Sequence, residues 1–550
     1  MTARLLSLQD VTAARAHYEA GYWQPFTLYE RLCHWEARKP DAIALVDSAG
    51  SFTYRALKQW VDGFAQSLHD AGLRPGDRVA IWAPSRMESV AVLLATSRMG
   101  YVCVPSLHRD HTPDNVRDIL DRTGAAALVV EKDYGSNLDG RSFADKAARL
   151  PSIKAVHELS PLTVDAGDNA ERFGGGVTPS ARTPVPAAGD PDRISYLAFT
   201  SGTTGKPKGV MHSDNTLLAN GRAIVADFGF DIDTVVYTFS PMSHNMGTVS
   251  LVTTLGCGGT LVLHGPLDAQ RALERVISTG ATYLVGVPTH GIDLVAQLQP
   301  EQELGAARVF QLAGSPVPVR LAESLLARGV RVQNCYGMTE NCSFLYTRMD
   351  DPLEVVTRTC GQSCTGMELA VFDPDDPDKP LPDGNEGELA VRGSSQMLGY
   401  FDDQSMTEAA INTTGWFMTG DLGLIDPDGN VHVTGRKKEL IIRGGKNIHP
   451  ARVEELAMRH PAIGKAAAFP VPDERLGERM CLSFVCAAGH PPPDAPTLLA
   501  HLSAHGLPKY HLPEYVLELD AFPMTASGKI LKRELAERTA RGAIKPIAVR

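Results

Sequence analysis

Residues 199–210 read FTSGTTGKPKGV, a run of small and hydroxyl residues that follows the apolar segment 194–199. The apolar segment predicts a buried strand, which makes the run a loop at the end of that strand. Glycines let successive backbone N–H groups point at one anion, while hydroxyl groups add donors and lysine adds positive charge. We therefore predict a phosphate-binding loop formed by Thr200, Ser201, Gly202, Thr203, Thr204, Gly205 and Lys208.

This loop differs from the two common phosphate-binding motifs. The pattern GxxxxGK[ST] requires Ser or Thr after its lysine, but Pro207 follows Lys206. The glycine spacing does not fit GxGxxG either. A flexible surface turn is the alternative interpretation, and the position directly after a buried strand favours phosphate binding.

The overall charge limits the classes of partner. The chain has 550 residues with a formal net charge of −11 and a pI of about 5.9. Nucleic acids and anionic membranes repel such a protein at long range, so we expect neither as a partner. A phosphate ligand needs a local site such as the predicted loop. Oligomeric state stays open between monomer and homodimer.

The cysteines and the N-terminal segment indicate a cytoplasmic protein. Nine cysteines are scattered without a CxxC pair, which is typical of reduced thiols rather than of disulfides or a zinc site. The first 23 residues contain no apolar run followed by a cleavage site. No stretch reaches the roughly 18 apolar residues that a membrane span requires.

Short apolar runs alternate with amphipathic segments through most of the chain. Residues 78–83, 126–130 and 260–263 predict strands, and residues 57–71 predict a helix. This alternation predicts an α/β fold with mostly parallel sheets covered by helices. Turn clusters after residue 350 indicate a more antiparallel region, and the charged run at 436–439 marks a boundary. We predict an N-terminal domain of residues 1–437 and a C-terminal domain of residues 438–550.

Five separated motifs, in this order, resemble the adenylate-forming superfamily, which includes acyl-CoA synthetases. They are FTSGTTGKPKGV at 199–210, NCYGMTE at 334–340, TGD at 419–421, GRKKELIIRGGKNIHP at 435–450 and PMTASGKI at 523–530. The resemblance covers nearly the whole chain. It implies a large N-terminal body with two helix-covered, mostly parallel sheets and a distorted antiparallel barrel. It also implies a small, mobile α+β C-terminal lid.

The resemblance assigns roles in binding ATP and Mg²⁺. It implies that Thr339 contacts the α-phosphate, that Glu340 and Thr204 hold Mg²⁺, and that Lys529 offsets charge between the acid and the α-phosphate. Asp421 would bind the ribose hydroxyls, and Arg436 would contact ribose or phosphate. The other implied ATP contacts are Gly314, Ser315, Pro316, Asn334, Cys335, Tyr336, Gly337 and Met338.

The same resemblance indicates where the acid and the thiol bind. Residues 240–247 read SPMSHNMG, in which His244 is the expected gate of the acid pocket. Lys438 corresponds to the hinge, and Gly444 and Gly445 to the tunnel for coenzyme A. The pocket set is His244, Asn245, Met246, Gly247, Gly314, Gly337 and Met338.

The predicted function is an ATP-dependent ligase that joins a carboxylic acid to AMP and then to the thiol of coenzyme A. An alicyclic, aromatic or medium-chain acid is expected. A ligase that loads an aryl or alkyl acid onto a carrier protein is the first alternative, because a His-Asn pair such as His244–Asn245 is also found there. The second alternative is an ATP-binding relative that lacks one half-reaction.

Overall fold

The computed structural model describes residues 10–138, 142–162, 177–179, 186–200, 207–299, 301–444, 446–487, 489–524 and 530–549. The chain forms two compact units, one of Met1–Leu369 with Val391–Phe417 and the other of Ala370–Ala390 with Met418–Arg550. The sequence boundary at 437/438 stays a prediction. That boundary marks the residue about which the C-terminal domain is expected to rotate. A division into compact units does not identify such a residue.

The strands follow one another along most of the chain. In chain order they are β1 (Ile43–Asp47), β2 (Gly50–Thr53), β3 (Arg78–Trp82), β4 (Val102–Val104), β5 (Ala127–Glu131), β6 (Ala155–Leu159), β7 (Ile194–Thr200), β8 (Lys208–Ser213), β9 (Val235–Thr238), β10 (Thr260–Leu263), β11 (Tyr283–Gly286), β12 (Val309–Ala313), β13 (Arg331–Met338), β14 (Cys342–Tyr346), β15 (Gln362–Ser363), β16 (Met367–Asp373), β17 (Asp376–Leu381), β18 (Gly387–Gly393), β19 (Phe417–Ile425), β20 (Val431–Arg436), β21 (Ile441–Arg443), β22 (Lys446–Ile448), β23 (Ile463–Asp473), β24 (Gly477–Cys486), β25 (Tyr515–Glu518) and β26 (Ile547–Ala548).

Helices separate many of these strands. In chain order they are α1 (Val11–Glu19), α2 (Leu28–Arg38), α3 (Tyr54–Asp70), α4 (Met87–Met99), α5 (Pro113–Thr123), α6 (Phe143–Ala147), α7 (Asp214–Phe228), α8 (Asn245–Cys257), α9 (Ala269–Ser278), α10 (Pro288–Gln297), α11 (Val319–Leu326), α12 (Leu353–Arg358), α13 (Gln404–Ala410), α14 (Pro450–Met458), α15 (Ala495–Ala504) and α16 (Lys532–Ala540).

The first unit contains two sheets that are parallel over most of their width. Over the described residues, the larger sheet has nine strands in the order β15-β14-β13-β12-β11-β9-β10-β1-β2. Its five central pairs are parallel, and its outer pairs are antiparallel. The smaller sheet has the order β6-β5-β3-β4-β7-β8 and is antiparallel only between β7 and β8. The predicted pair of mostly parallel sheets is confirmed.

Helices cover these sheets through apolar side chains. Leu273 of α9, Leu294 of α10 and Leu321 of α11 pack with Phe310 of β12 in one buried core. Sequence details explain the helix boundaries: the Ser213 side chain caps the first turn of α7, which then ends at Gly229 in the left-handed conformation. The covered sheets hold their strand ends in fixed positions, and the site residues lie there.

The second unit is richer in antiparallel pairs, as expected for residues after 350. One sheet, most of whose residues belong to this unit, has the strand order β17-β16-β18-β19-β20. The other sheet has the order β22-β21-β24-β25-β26, with β23 paired to β24. Helix α14 packs on the second sheet through Val453 and Leu456, which contact Ile448 and Leu482 in a separate core. The predicted small α+β C-terminal domain is confirmed as a fold.

Among the helices of the described residues, none combines the length and apolarity that crossing a bilayer requires. All nine cysteines are free.

Candidate active site

The two ends of the predicted phosphate loop lie opposite each other at the end of the β7–β8 hairpin. The antiparallel register pairs Thr200 with Lys208, and both residues are partly buried. The flanks of the loop are therefore neighbours, as a phosphate cradle requires. The other predicted loop residues lie outside the described residues: Ser201, Gly202, Thr203, Thr204 and Gly205.

Thr339 and Glu340 lie at the tip of the β13–β14 hairpin. The turn is closed by the Asn341 N–H, which donates to the Met338 carbonyl over 3.1 Å. Gly337 is required just before the tip, because a Cβ there would lie 2.1 Å from the Cys342 carbonyl oxygen. The tight hairpin exposes the Thr339 and Glu340 side chains partly while fixing their backbone.

A buried histidine on β8 holds this tip. His212 Nε2 lies 2.7 Å from the Thr339 carbonyl oxygen, and Nδ1 lies 3.0 Å from the Thr216 hydroxyl. A carbonyl oxygen only accepts, so Nε2 carries the proton. Burial lowers the pKa of His212 to about 4, which keeps the ring neutral at ordinary pH. The strand that follows the phosphate loop is thus bonded directly to the residue predicted to contact the α-phosphate.

Tyr400 forms a second link between β8 and the hairpin tip. Its hydroxyl donates to Glu340 Oε1 over 2.8 Å. The Lys208 ammonium lies 4.8 Å from the centre of the Tyr400 ring, a distance at which a cation is attracted to the ring face. Lys208, assigned to the phosphate loop, and Glu340, assigned to Mg²⁺, therefore contact one aromatic side chain.

Three further residues of the NCYGMTE motif pack within the first unit. The Asn334 amide donates to the carbonyls of Val356 and Thr359 over 2.9 and 2.7 Å. Cys335 is buried, and burial raises its pKa to about 11. The Tyr336 ring meets Phe344 edge-on at 5.5 Å between centroids. Asn334 and Cys335 thus fix β13 in the sheet, and their predicted contacts with ATP stay predictions.

The segment predicted to gate the acid pocket starts helix α8. His244 is its N-cap residue, and His244 Nδ1 accepts the Met246 N–H over 3.3 Å. Asn245 is buried, and its amide nitrogen lies 3.9 Å from Cys342 Sγ at the start of β14. Gly247 admits no side chain, because a Cβ would lie 2.4 Å from the Pro241 carbonyl oxygen. Residues 244–247 are therefore adjacent to the hairpin that carries Thr339 and Glu340.

Gly314, Ser315 and Pro316 follow β12 directly and are exposed. Strand β12 runs parallel to β13 with Ala313 opposite Cys335, so both strands end at the same edge of the sheet. Ligands of open α/β sheets bind at such edges. Gly337, also exposed, and Met338, partly buried, lie on β13 just before the hairpin tip.

Asp421 and Arg436 belong to the second unit and form an ion pair there. They lie opposite each other on β19 and β20, with Arg436 Nε 3.0 Å from Asp421 Oδ1. Asp421 is buried, whereas the Arg436 side chain is about half exposed. The exposed Lys438 lies in the short 3-10 helix that follows. These pairings fix Asp421, while its role toward ribose stays a proposal.

The remaining predicted residues lie around the last two motifs. Gly444 adopts the left-handed conformation at φ +57°, and Gly445 lies outside the described residues. Lys529 also lies outside them. The described residues on either side of its segment pair with each other, Met524 with Ile530, and the Leu531 N–H donates to the Pro523 carbonyl over 2.8 Å.

Comparison with known families identifies the chain. The profile of the AMP-binding enzyme family matches residues 32–401, and the profile of the AMP-binding enzyme C-terminal domain matches residues 452–529. The chain belongs to the AMP-binding enzyme family. The adenylate-forming superfamily that the motifs suggested is thereby confirmed. As a family member, the protein is expected to form adenylates from ATP.

Similar proteins cover the chain almost from end to end. The medium-chain fatty-acid–CoA ligase of Escherichia coli K12 is 31% identical over 94% of this chain and 91% of its own. The 3-[(3aS,4S,7aS)-7a-methyl-1,5-dioxo-octahydro-1H-inden-4-yl]propanoyl:CoA ligase of Mycobacterium tuberculosis H37Rv is 33% identical over 90% and 96%. ATP-bound MatB of Rhodopseudomonas palustris superposes with a TM-score of 0.82 at 27% identity, covering 94% of this chain and 99% of that chain.

His212 and Tyr400 contact the hairpin tip of the candidate site, and sequence reasoning missed both. His212 had a detectable signal: it is a polar residue on the same face of β8 as the apolar Val210, and a histidine buried on a strand needs a bonding partner. Tyr400 lies in an irregular segment without periodicity, and nothing near it in the sequence indicates that Glu340 is its neighbour.

Proposed function

We propose that this AMP-binding enzyme is an ATP-dependent carboxylic acid–CoA ligase. The observation that carries the proposal is the contact of β8 with the β13–β14 hairpin, through His212 to Thr339 and through Tyr400 to Glu340. The end of the phosphate loop and the hairpin tip lie at one place, as required if both act on one nucleotide. Two relatives named as CoA ligases, each matching at least 90% of the chain, support the acceptor.

In the first half-reaction, a carboxylate oxygen of the acid attacks the α-phosphorus of ATP. An O–P bond forms, the bond to the β-phosphate oxygen breaks, and pyrophosphate leaves toward the loop at Thr200–Lys208. Negative charge grows on the oxygens of the transferred phosphorus, so fixed donors lower the barrier. The Thr339 hydroxyl and the Lys529 ammonium are the proposed donors. The neutral His212 ring keeps Thr339 in place without adding a charge.

The described donor set fits a magnesium ion. Glu340 has a second carboxylate oxygen that Tyr400 does not use, and Mg²⁺ prefers such hard oxygen ligands. Mg²⁺ is usually bound by one or two protein carboxylates, with substrate phosphates and water as its other ligands. Glu340 and Thr204 would hold Mg²⁺, which when bound would offset the charge of the triphosphate.

In the second half-reaction, the thiol of coenzyme A attacks the carbonyl carbon of the acyl-AMP. A C–S bond forms, the C–O bond to the phosphate breaks, AMP leaves, and the thiol proton passes to solvent. Lys438 is the proposed pivot, and Gly444 and Gly445 are proposed to line the thiol passage. A Cβ on Gly444 would lie 3.5 Å from the Tyr510 hydroxyl, in van der Waals contact. A larger side chain at this position would therefore narrow the proposed passage.

We propose that the acid has an apolar body. The named substrates of the two relatives are a medium-chain fatty acid and a bicyclic propanoic acid, which share a carboxylate on a largely hydrocarbon frame. The segment at 244–247 offers one partly buried imidazole, and Asn245 is buried beside Cys342. Met246, Gly247 and Met338 add mostly apolar surface.

The test is product formation by the purified full-length protein. Pyrophosphate and acyl-CoA are measured with medium-chain, alicyclic and aryl acids, with and without coenzyme A. We expect one pyrophosphate per thioester and a loss of more than about 100-fold in Glu340→Gln. Glu354→Gln is the matched control, because Glu354 pairs with Arg358 on the exposed face of α12. Transfer only to a carrier-protein phosphopantetheine would replace coenzyme A as acceptor, and no acid-dependent pyrophosphate from any acid would refute the ligase proposal.

A further inference from the structure

The segment around Tyr400 is fixed to both halves of the candidate ATP site by its backbone. This segment, residues 397–401, pairs with β8 in an antiparallel manner. Its first residue, Met397, contacts the hairpin tip. Four hydrogen bonds hold it: Leu398 N–H to Met211 O (2.8 Å), Met211 N–H to Gly399 O (3.0 Å), Phe401 N–H to Gly209 O (2.7 Å) and Met397 N–H to Glu340 O (2.7 Å).

The side chains on either side of Tyr400 are anchored in a core. Leu398 and Phe401 are buried and pack with Leu197, Phe199 and Met211 beneath the smaller sheet. Such anchoring leaves Tyr400 little freedom to move relative to β8. The Tyr400 side chain itself is buried, with 4% of its surface exposed.

The two ends of the Tyr400 side chain meet two different ionic groups. The hydroxyl donates to Glu340 Oε1 at 2.8 Å, and the ring face meets the Lys208 ammonium at 4.8 Å. The phenol O–H is the donor in this bond, because a carboxylate oxygen only accepts.

These contacts give one side chain control over two groups that face the same ligand. A carboxylate with one oxygen bound by a fixed donor presents its other oxygen in a defined direction, and such outer partners of metal ligands usually matter for metal affinity. A lysine held over an aromatic ring loses fewer conformations when it binds a phosphate. Glu340 and Lys208 lie far apart in the sequence, and Tyr400 contacts both.

We propose that Tyr400 is a positioning residue for the divalent metal and triphosphate: its hydroxyl orients Glu340 toward the cation, and its ring orients Lys208 toward the phosphates. This inference rests on the proposed function, because Glu340 is there the metal carboxylate. It assigns the hydroxyl to metal affinity and the ring to nucleotide affinity, so the two contributions separate experimentally.

Two substitutions separate these contributions. Tyr400→Phe removes the hydroxyl and keeps the ring, so we expect about a tenfold weaker apparent affinity for the metal with nucleotide affinity in the absence of metal unchanged. Tyr400→Leu removes both, so we expect a further loss of about threefold in metal-free nucleotide affinity. Tyr29→Phe is the matched control, since its buried hydroxyl donates to Asp62 over 2.7 Å away from this site.

The experiment measures binding directly in the full-length protein. Mn²⁺ binding is followed by electron paramagnetic resonance in the presence of a non-hydrolysable ATP analogue, and analogue binding without metal is followed by calorimetry. Circular dichroism confirms that each variant is folded. The Mg²⁺ concentration for half-maximal acid-dependent pyrophosphate exchange provides the second readout.

The outcomes are distinct. A weaker Mn²⁺ affinity in Tyr400→Phe, with Tyr29→Phe like the wild type, supports the inference. Equal Mn²⁺ affinity in the wild type and Tyr400→Phe overturns it, even if activity falls, because a merely structural role lowers activity without changing metal affinity. If the wild type binds Mn²⁺ with the analogue but forms no adenylate from any acid, the proposed function is refuted. The comparison of Mn²⁺ affinity between the wild type and Tyr400→Phe still tests the role of Tyr400.

Discussion

Among the described residues of the second unit, Lys532 forms a partly buried ion cluster with Glu454 and Glu439, and replacing it by methionine removes the cation of this cluster. Lys532 Nζ lies 2.8 Å from Glu454 Oε1 and 3.1 Å from Glu439 Oε2. The exposed fractions of the side chains are 24% for Lys532, 13% for Glu454 and 40% for Glu439. Burial disfavours the charged lysine, but the two carboxylates outweigh that effect and raise the pKa of Lys532.

The magnitude follows from this partial burial. Breaking a fully buried ion pair costs about 3–5 kcal/mol, whereas an exposed pair contributes at most about 1 kcal/mol. Because Lys532 is only one-quarter exposed and Glu454 is nearly buried, we expect Lys532→Met to lower the free energy of unfolding at neutral pH by about 2–3 kcal/mol. For a unit of this size, that corresponds to a melting temperature lower by about 4–12 °C.

Differential scanning calorimetry at neutral pH measures this loss. Arg533→Met is the control, because Arg533 pairs with Glu537 on the exposed face of α16, and we expect a change below about 1 kcal/mol there. Glu454→Gln keeps the acceptor for the Ala468 N–H and removes the uncompensated charge. The double variant Lys532→Met, Glu454→Gln should therefore be more stable than the sum of the two single changes predicts.

The deficit of Lys532→Met also depends on pH. Burial already raises the pKa of Glu454, and loss of the neighbouring ammonium raises it further. A carboxyl group whose folded pKa exceeds its unfolded pKa destabilises the fold increasingly as pH rises through that range. The deficit should thus be smaller near pH 5 than near pH 7. A melting temperature equal to that of Arg533→Met, or a deficit that Glu454→Gln does not change, would refute this account of the cluster.

Two further predictions concern His212 and Asp421. The pKa of His212, about 4 when folded, lies below its unfolded value, so the stability it contributes is present above about pH 6.5 and is lost as pH falls toward 4. When pH falls from 7 to 5, the free energy of unfolding measured in urea should therefore decrease by about 2 kcal/mol less in His212→Gln than in the wild type. Equal decreases in the two proteins would contradict a buried neutral ring. Asp421→Asn should raise the KM for ATP about tenfold, since it removes a charged acceptor from the proposed ribose site. Steady-state kinetics check this change, and an unchanged KM would remove Asp421 from that site.

Local sequence patterns predicted the strands well where apolar runs are short and bounded by turns. Strand β10 matches its predicted limits at 260–263, and β3 differs from its prediction by one residue at the C-terminal end. The prediction succeeded there because such runs carry their own boundaries. Helix α4 was not predicted. All of its residues are buried, so it lacks the polar face that reveals an amphipathic helix.

The motifs predicted the residues of the candidate site, but they gave no indication of the contacts that support those residues. The motif at 334–340 indicated Thr339 and Glu340 as candidate ligands of ATP and Mg²⁺ because the residue types are contiguous, but it did not predict that they lie at a hairpin tip. The links from His212 and Tyr400 depend on how distant segments pair: His212 and Thr339 are 127 positions apart, and Tyr400 and Glu340 are 60 apart. Short-range periodicity contains no information about such pairs.

The exchange of labelled pyrophosphate into ATP, measured without coenzyme A and as a function of added acid, tests the central claim most directly. We predict acid-dependent exchange by the wild type, and its loss in Lys529→Ala while thioester formation from supplied acyl-AMP and coenzyme A largely persists. Exchange that proceeds equally without any acid, or that Lys529→Ala leaves unchanged, would contradict the claim that the phosphate loop, the hairpin tip and this lysine act on one nucleotide.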